Sequence, residues 1–110
     1  MTEFEPRNLA QTLLDHGNEW ADRKAAADLL EETQKTRLAQ IALKYITEGA
    51  PVNKATMEAQ ATEEYSNFLN DMVEARRLAN RARVQYDADI TFIEMQRSLE
   101  STKREEMKMR

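Results

Sequence analysis

Glu48-Gly49-Ala50-Pro51-Val52-Asn53 is the stretch of sequence that decides how this chain folds. Gly49 suits the end of a helix, because glycine adopts the left-handed conformation of a C-cap without a steric penalty. Pro51 prevents a helix from continuing, and Asn53 can cap a new helix by accepting hydrogen bonds from its first N–H groups. The stretch therefore predicts a turn over residues 49–53 between two halves of the chain.

The rest of the chain is almost free of residues that break helices. Its 110 residues include two glycines, two prolines and no cysteine, and 33% of them are charged. Residues that favour helices, such as alanine, leucine, glutamate and arginine, dominate the composition. We therefore predict an all-α fold, because this composition is typical of long helices or a coiled coil.

Apolar residues recur at helical spacing on both sides of the turn. The first stripe includes Leu9, Leu13, Trp20, Leu30, Leu38 and Ile41, and the second includes Tyr65, Leu69, Met72, Ala79, Tyr86 and Ile90. Most gaps are three, four or seven residues, which is coiled-coil-like spacing. We predict one domain over residues 1–110, with helices over 7–48, 54–61 and 62–107. Thr62 can cap the last of them.

Reversal of the chain at the turn predicts a long antiparallel hairpin in which Trp20 lies near Ile90. The weak point of the first helix is Gly17, because glycine costs ~1 kcal/mol in a helix interior. We expect a bend there or a helix that begins near Asn18. The apolar seam also shifts by about one position between residues 30 and 38, which are eight residues apart.

Further apolar side chains lie beside the stripes and widen them beyond what one partner helix covers. A hairpin rich in alanine also makes a thin core, because each alanine buries little area. We therefore expect two hairpins to associate into a four-helix bundle, or into a higher oligomer. The residues that we expect between copies are Leu14, Trp20, Leu29, Phe68, Val73 and Phe92.

The sequence offers little support for catalysis, so we expect no enzyme activity, no cofactor and no metal site. Two isolated glycines cannot form a phosphate-binding loop or a dinucleotide fingerprint, and the lack of cysteine removes a thiolate nucleophile. The single histidine, His16, could act as a base with Asp15 or Glu19, but a partly exposed polar role is favoured. No apolar run approaches the ~20 residues that cross a bilayer, and no signal peptide begins the chain. We expect a cytoplasmic protein without membrane contacts.

Four arginines fall close together in the second half, at positions 76, 77, 81 and 83. Two interpretations remain open. The arginines can pair with acidic residues on the facing helix, and such pairs would specify the register. Alternatively, they can stay exposed and bind nucleic-acid phosphates or an acidic protein, because arginine makes bidentate contacts. The acidic residues expected to face them are Asp22, Asp28, Glu31 and Glu32.

The C-terminal half resembles a known group of small helical proteins. The resemblance lies in Glu64-Tyr65, Ala75-Arg76, the run ANRARVQY at 79–86 and the run RSLESTKREEM at 97–107. These stretches are similar to small proteins of bacteriophages and prophages, which tend to be encoded among early genes near recombination and replication functions. The resemblance implies an accessory protein in the host cytoplasm and carries over no catalytic residues.

We therefore predict a non-enzymatic interaction or scaffold protein. The resemblance implies that its partner is a phage or host protein of DNA metabolism or defence. The alternative is a nucleic-acid-binding protein that uses Arg76, Arg77, Arg81 and Arg83.

Overall fold

The computed structural model describes residues 6–109, and every regular element in that range is a helix. The helices are α1 (Pro6–Glu32), α2 (Gln34–Thr47), α3 (Val52–Gln60) and α4 (Glu63–Lys108). The prediction of an all-α fold is confirmed. The predicted helix over 7–48 is two helices, α1 and α2, and α3 begins two residues earlier than predicted.

The long helices α1 and α4 lie antiparallel and form a rod. His16 in the first half of α1 contacts Asp89 in the middle of α4, whereas Asp28 near the end of α1 contacts Arg76 nearer the start of α4. The molecule measures 87 × 22 × 19 Å and has a radius of gyration of 24.1 Å. A compact domain of this length has a radius of gyration of about 13 Å. The radius of gyration shows that the rod is extended, and the contacts between α1 and α4 confirm the predicted antiparallel arrangement within one chain.

The turn between α2 and α3 follows from its sequence. Gly49 adopts a φ of 101°, its N–H donates to the carbonyl of Ile46 at 2.9 Å, and the N–H of Ala50 donates to Tyr45 at 3.0 Å. These two bonds form a Schellman motif, which needs a left-handed residue after the helix end. Pro51 then occupies the N-cap of α3. The prediction that Asn53 caps this helix is therefore wrong, because α3 begins before it.

A threonine divides the predicted first helix. The Thr33 hydroxyl donates to the carbonyls of Leu29 at 2.8 Å and Leu30 at 3.3 Å. Such back-bonding often bends helices. The N–H of Thr33 still donates to the Leu29 carbonyl at 3.0 Å, so the interruption is local. It falls in the interval between residues 30 and 38, where the apolar seam was predicted to shift.

Helix α1 begins at Pro6 and runs without interruption through Gly17, so the predicted late start near Asn18 is wrong. A Cβ atom placed on Gly17 would lie 3.7 Å from Cε2 of Tyr86. This is an ordinary van der Waals distance, so the Tyr86 ring packs against α1 here without requiring a glycine.

The register of α1 on α4 differs from the predicted one by about one helical turn. Trp20 packs against Tyr86, with ring centroids 5.6 Å apart, rather than against Ile90. The cause is α3, which packs along α2 and occupies the place predicted for the start of α4. Trp20 therefore packs against a residue four positions nearer the N-terminus of α4 than predicted.

The largest apolar cluster lies at the end of the rod where α2, α3 and the start of α4 meet. Its buried members are Ile41, Ala42, Ala55, Ala59 and Tyr65. Along the rod itself, Ala27 and Ala79 are the buried apolar residues in the part of the chain that the structure describes. The predicted thin core is therefore observed.

Candidate interaction surface

The chain exposes far more surface than a compact monomer does. Its accessible surface is 8787 Å², whereas a compact monomer of 12.8 kDa exposes about 6,300 Å². The difference exceeds the ~800 Å² that each partner contributes to a standard protein interface. The rod therefore has ample surface for a partner to cover.

Four of the six residues predicted between copies are exposed. The exposed fractions are 56% for Leu14, 60% for Leu29, 65% for Val73 and 44% for Phe92. Leu14, Leu29 and Val73 are more than half exposed, so a partner could cover them, but their exposure identifies none.

The other two predicted interface residues are used within the chain. Trp20 is partly buried against Tyr86, and Phe68 stacks on Tyr65 with ring centroids 6.4 Å apart. The register of α1 on α4 brings Tyr86 opposite Trp20, whereas Phe68 lies one turn after Tyr65 on α4 and packs with it against the apolar cluster of α2 and α3. Sequence spacing alone could not show which residues of the stripe face the neighbouring helix and which face solvent, because that depends on the register of the helices.

A shallow groove opens beside Gly17, where the Tyr86 ring is uncovered. One depression has a volume of about 460 Å³, and a second has a volume of about 330 Å³. Both are lined by Gly17 and Tyr86, and we call the two depressions together the Tyr86 groove. The α1 residues that line it are Ala10, Leu13, Leu14, Gly17, Asn18, Trp20, Ala21 and Lys24.

An apolar stripe runs along α1 at the edge of this groove. Ala10, Leu14, Ala21 and Ala25 are four or seven residues apart, so they lie on one face of the helix. All four are exposed. Only Leu14 among them has a large side chain, and it projects next to the depression beside Gly17. We call these four residues the α1 stripe.

Two polar side chains, His16 of α1 and Asp89 of α4, join the long helices. Nδ1 of His16 and a carboxylate oxygen of Asp89 form a hydrogen bond, and Gln85 Nε2 donates to the other carboxylate oxygen at 3.4 Å. The Asp89 side chain is 12% exposed. The expected partners of the histidine bond elsewhere: Asp15 accepts from Gln11, and Glu19 accepts from Arg23. The pair fixes α1 and α4 at one relative position.

Arg76 pairs with the facing helix, as one of the two open interpretations predicted. It donates to Asp28 at 2.6 Å and to Glu31 at 2.8 and 2.9 Å. Hydrogen bonds from Lys24 and then from Arg76 lower the pKa of Asp28. Hydrogen bonds to Glu31 and Asp28 raise the pKa of Arg76. Two of the four acidic residues predicted to face the arginines therefore do so, and Asp22 and Glu32 do not pair with them.

The remaining arginines point in other directions. Arg77 donates to Glu74 on its own helix at 2.9 Å, and this bond is the main cause of the lowered pKa of Glu74. Arg81 and Arg83 are exposed and form no ion pair within residues 6–109. The cluster is therefore divided into two arginines held by carboxylates and two that face solvent.

Other kinds of site do not emerge in the described range. Residues 6–109 contain no group of three metal-ligating side chains and no helix that is both long and apolar enough to cross a membrane. Comparison with known proteins finds no matching family model, curated protein or solved structure. The candidate site is accordingly a surface, made of the Tyr86 groove, the α1 stripe and the exposed apolar residues of α4.

Proposed function

We propose that this protein is a non-enzymatic helical scaffold whose exposed apolar faces bind other proteins, including further copies of itself. The observation that carries the proposal is the large exposed surface of a rod whose central part buries mainly alanine. Apolar area left in water is unfavourable by roughly 25 cal/mol per Å², so partners that cover it stabilise the rod. Association into a four-helix bundle is the simplest such arrangement.

The resemblance of the C-terminal half to small phage and prophage proteins supports a more specific proposal. The protein acts as a phage accessory in the host cytoplasm and binds a phage or host protein of DNA metabolism or defence. A rigid rod suits this role, because it offers a partner helix a long preformed surface at little cost in conformational entropy.

Sedimentation velocity tests the scaffold proposal directly. We expect the full chain to sediment at micromolar concentration as a dimer or a larger species, because its apolar faces remain uncovered in the monomer. A monomer of 12.8 kDa over that concentration range would contradict self-association. Cross-linking in phage-infected cells, followed by mass spectrometry, tests the accessory role. Partners with no connection to DNA metabolism or defence would contradict it.

Nucleic-acid binding is the second candidate function, and it is supported by the exposure of Arg81 and Arg83. It is weakened at Arg76 and Arg77, because carboxylates already bind both guanidinium groups and would repel phosphates. A DNA titration at two salt concentrations measures the number of phosphate contacts. Salt-dependent binding that disappears in an R81A/R83A variant would favour this function over the scaffold.

A further inference from the structure

We infer that two copies of this chain dock through α1 in antiparallel orientation, with Leu14 of each copy seated in the Tyr86 groove of the other. The inference rests on the proposed scaffold function and makes it specific, because it names the partner and the contact. Its centre lies between Gly17 and Asn18, so the arrangement has a two-fold axis there. In such an interface both copies use the same surface: when residue i of one copy contacts residue j of the other, residue j of the first copy also contacts residue i of the second.

The shape of the surface favours this register. A two-fold axis between Gly17 and Asn18 sets Leu14 of one copy opposite Ala21 of the other, and Ala10 opposite Ala25. The depression beside Ala21 measures about 330 Å³ and is floored by the Tyr86 ring, so a leucine side chain has room to enter it. In this register Leu14 of each copy, the one large side chain of the α1 stripe, lies against the depression beside Ala21 of the other copy.

The charges of α1 favour the antiparallel orientation. Asp28, Glu31 and Glu32 lie near the C-terminal end of α1, whose last turn has no basic residue. Asp28 already pairs with Lys24 and Arg76. Glu31 also pairs with Arg76, so Glu32 is the acid at this end without an ion pair in the described range. Parallel docking would set Glu32 of the two copies side by side, and like charges at close range are destabilising. Antiparallel docking instead sets Arg7 near Asp28 of the other copy, where it would join Lys24 and Arg76 around that carboxylate. Arg7 is exposed and forms no ion pair with any residue in the described range.

The exposed area also fits a second copy. A stable interface buries at least about 1,200 Å² in total, half from each partner. The chain exposes 8787 Å², which leaves more than that beyond what a compact monomer shows. A second copy that docks through a self-complementary face could therefore cover enough of this surface for a stable dimer.

Single-cysteine cross-linking tests the register, because the natural chain has no cysteine to interfere. We expect Asn18→Cys to form a disulfide-linked dimer under mild oxidation, because the two copies of this residue lie next to each other at the axis. We expect Ala10→Cys and Ala25→Cys to cross-link when mixed. Neither should do so alone, since the two copies of position 10 lie roughly 22 Å apart along α1. Val84→Cys, on an exposed site of α4, is the matched control and should not cross-link.

A substitution at the groove provides a second test. We expect Leu14→Glu to raise the dimer dissociation constant at least about tenfold, because a carboxylate cannot enter an apolar depression without losing its hydration. Val84→Glu replaces another exposed apolar residue and should leave the constant unchanged, while circular dichroism confirms that both variants stay helical.

The outcomes separate this inference from the scaffold proposal. A wild-type dimer that fails to cross-link through Asn18→Cys would overturn the docking geometry and leave self-association standing. Cross-linking of Ala10→Cys with itself would show parallel docking and overturn the register. A wild-type monomer in sedimentation would overturn both.

Discussion

The two ends of this molecule are stabilised in different ways. Where α2, α3 and the start of α4 meet, Ile41 and Tyr65 are buried in one apolar cluster. Along the rod, α1 and α4 are joined by alanines, by the Trp20–Tyr86 ring contact and by polar pairs. The first region has the composition of a small domain core, whereas the second resembles one half of an interface.

This difference suggests a division of roles. Burial of large apolar side chains supplies most of the stability of small domains. The apolar cluster of α2, α3 and the start of α4 can therefore stabilise the hairpin. The exposed faces of α1 and α4 then need to contribute little to the stability of the fold. A region with few buried apolar contacts is also the one that opens most readily. We expect the rod to become more stable when a partner covers it.

Truncation of the cluster gives the largest expected effect. Ile41 is 3% exposed, so Ile41→Ala should lower the free energy of unfolding by about 3 kcal/mol, from lost burial and the cavity left behind. Urea unfolding followed by circular dichroism measures the change. Leu43→Ala is the control on the same helix, because Leu43 is 59% exposed. Equal losses in the two variants would contradict the assignment of the cluster as the main core.

The junction between the two regions should contribute less. The Thr62 hydroxyl accepts a hydrogen bond from the N–H of Tyr65 at 3.1 Å and thus caps α4. We expect Thr62→Ala to cost about 1 kcal/mol in urea unfolding, the usual value of a lost N-cap. Thr102→Ala is the matched control, because that threonine donates only to a carbonyl within α4. A loss as large at Thr102 would show that the cap contributes nothing.

The two glycines should respond to alanine in opposite directions. Gly17→Ala improves helix propensity, and its added Cβ makes an ordinary 3.7 Å contact with Tyr86, so we expect a gain of up to about 1 kcal/mol. Gly49→Ala forces alanine into a φ of 101° and should cost about 1 kcal/mol. Thermal unfolding of both variants at one protein concentration measures the difference. A loss at Gly17 would indicate that the rod needs this close approach to be free of any side chain.

Local signals explain which parts of the fold could be predicted. Gly49, Pro51 and Thr62 act on neighbouring backbone groups, so the turn and the start of α4 follow from a few adjacent residues. Thr33 is harder to interpret, because a threonine inside a helix can either point to solvent or bond back to a carbonyl. The shift of the apolar seam indicated the region of this interruption but not its cause.

The contacts of the candidate surface depend on register, which distant residues decide together. The position of Gly17 against the Tyr86 ring could not be predicted from helix propensity, because propensity is local and this contact depends on the register of α1 on α4. His16 and Asp89 are 73 residues apart, and no motif links them. Leu14, Val73 and Phe68 all lie beside the stripes, yet Leu14 and Val73 are exposed and Phe68 packs against the apolar cluster, so spacing alone did not decide their burial.

The smallest expected effect concerns the ion pair between Arg76 and Asp28 on the rod. Hydrogen bonds from Lys24 and then from Arg76 lower the pKa of Asp28 in the folded chain. A carboxyl group with a lowered folded pKa stabilises the fold above its unfolded pKa of about 3.9, and that contribution is lost as the pH falls through the folded value. We therefore expect Arg76→Gln to lower the melting temperature slightly near neutral pH, and we expect this difference to shrink as the pH falls through the lowered pKa of Asp28.

Arg81→Gln provides the control, because Arg81 forms no ion pair among residues 6–109. Salt should reduce the neutral-pH difference for Arg76→Gln, since both side chains of the pair are about one third exposed and counterions can screen them. A difference that did not shrink as the pH was lowered would show that Arg76 stabilises the rod through its packed stem. In that case the rod would depend on apolar contact to a greater degree, and the contrast between the two ends of the molecule would be smaller.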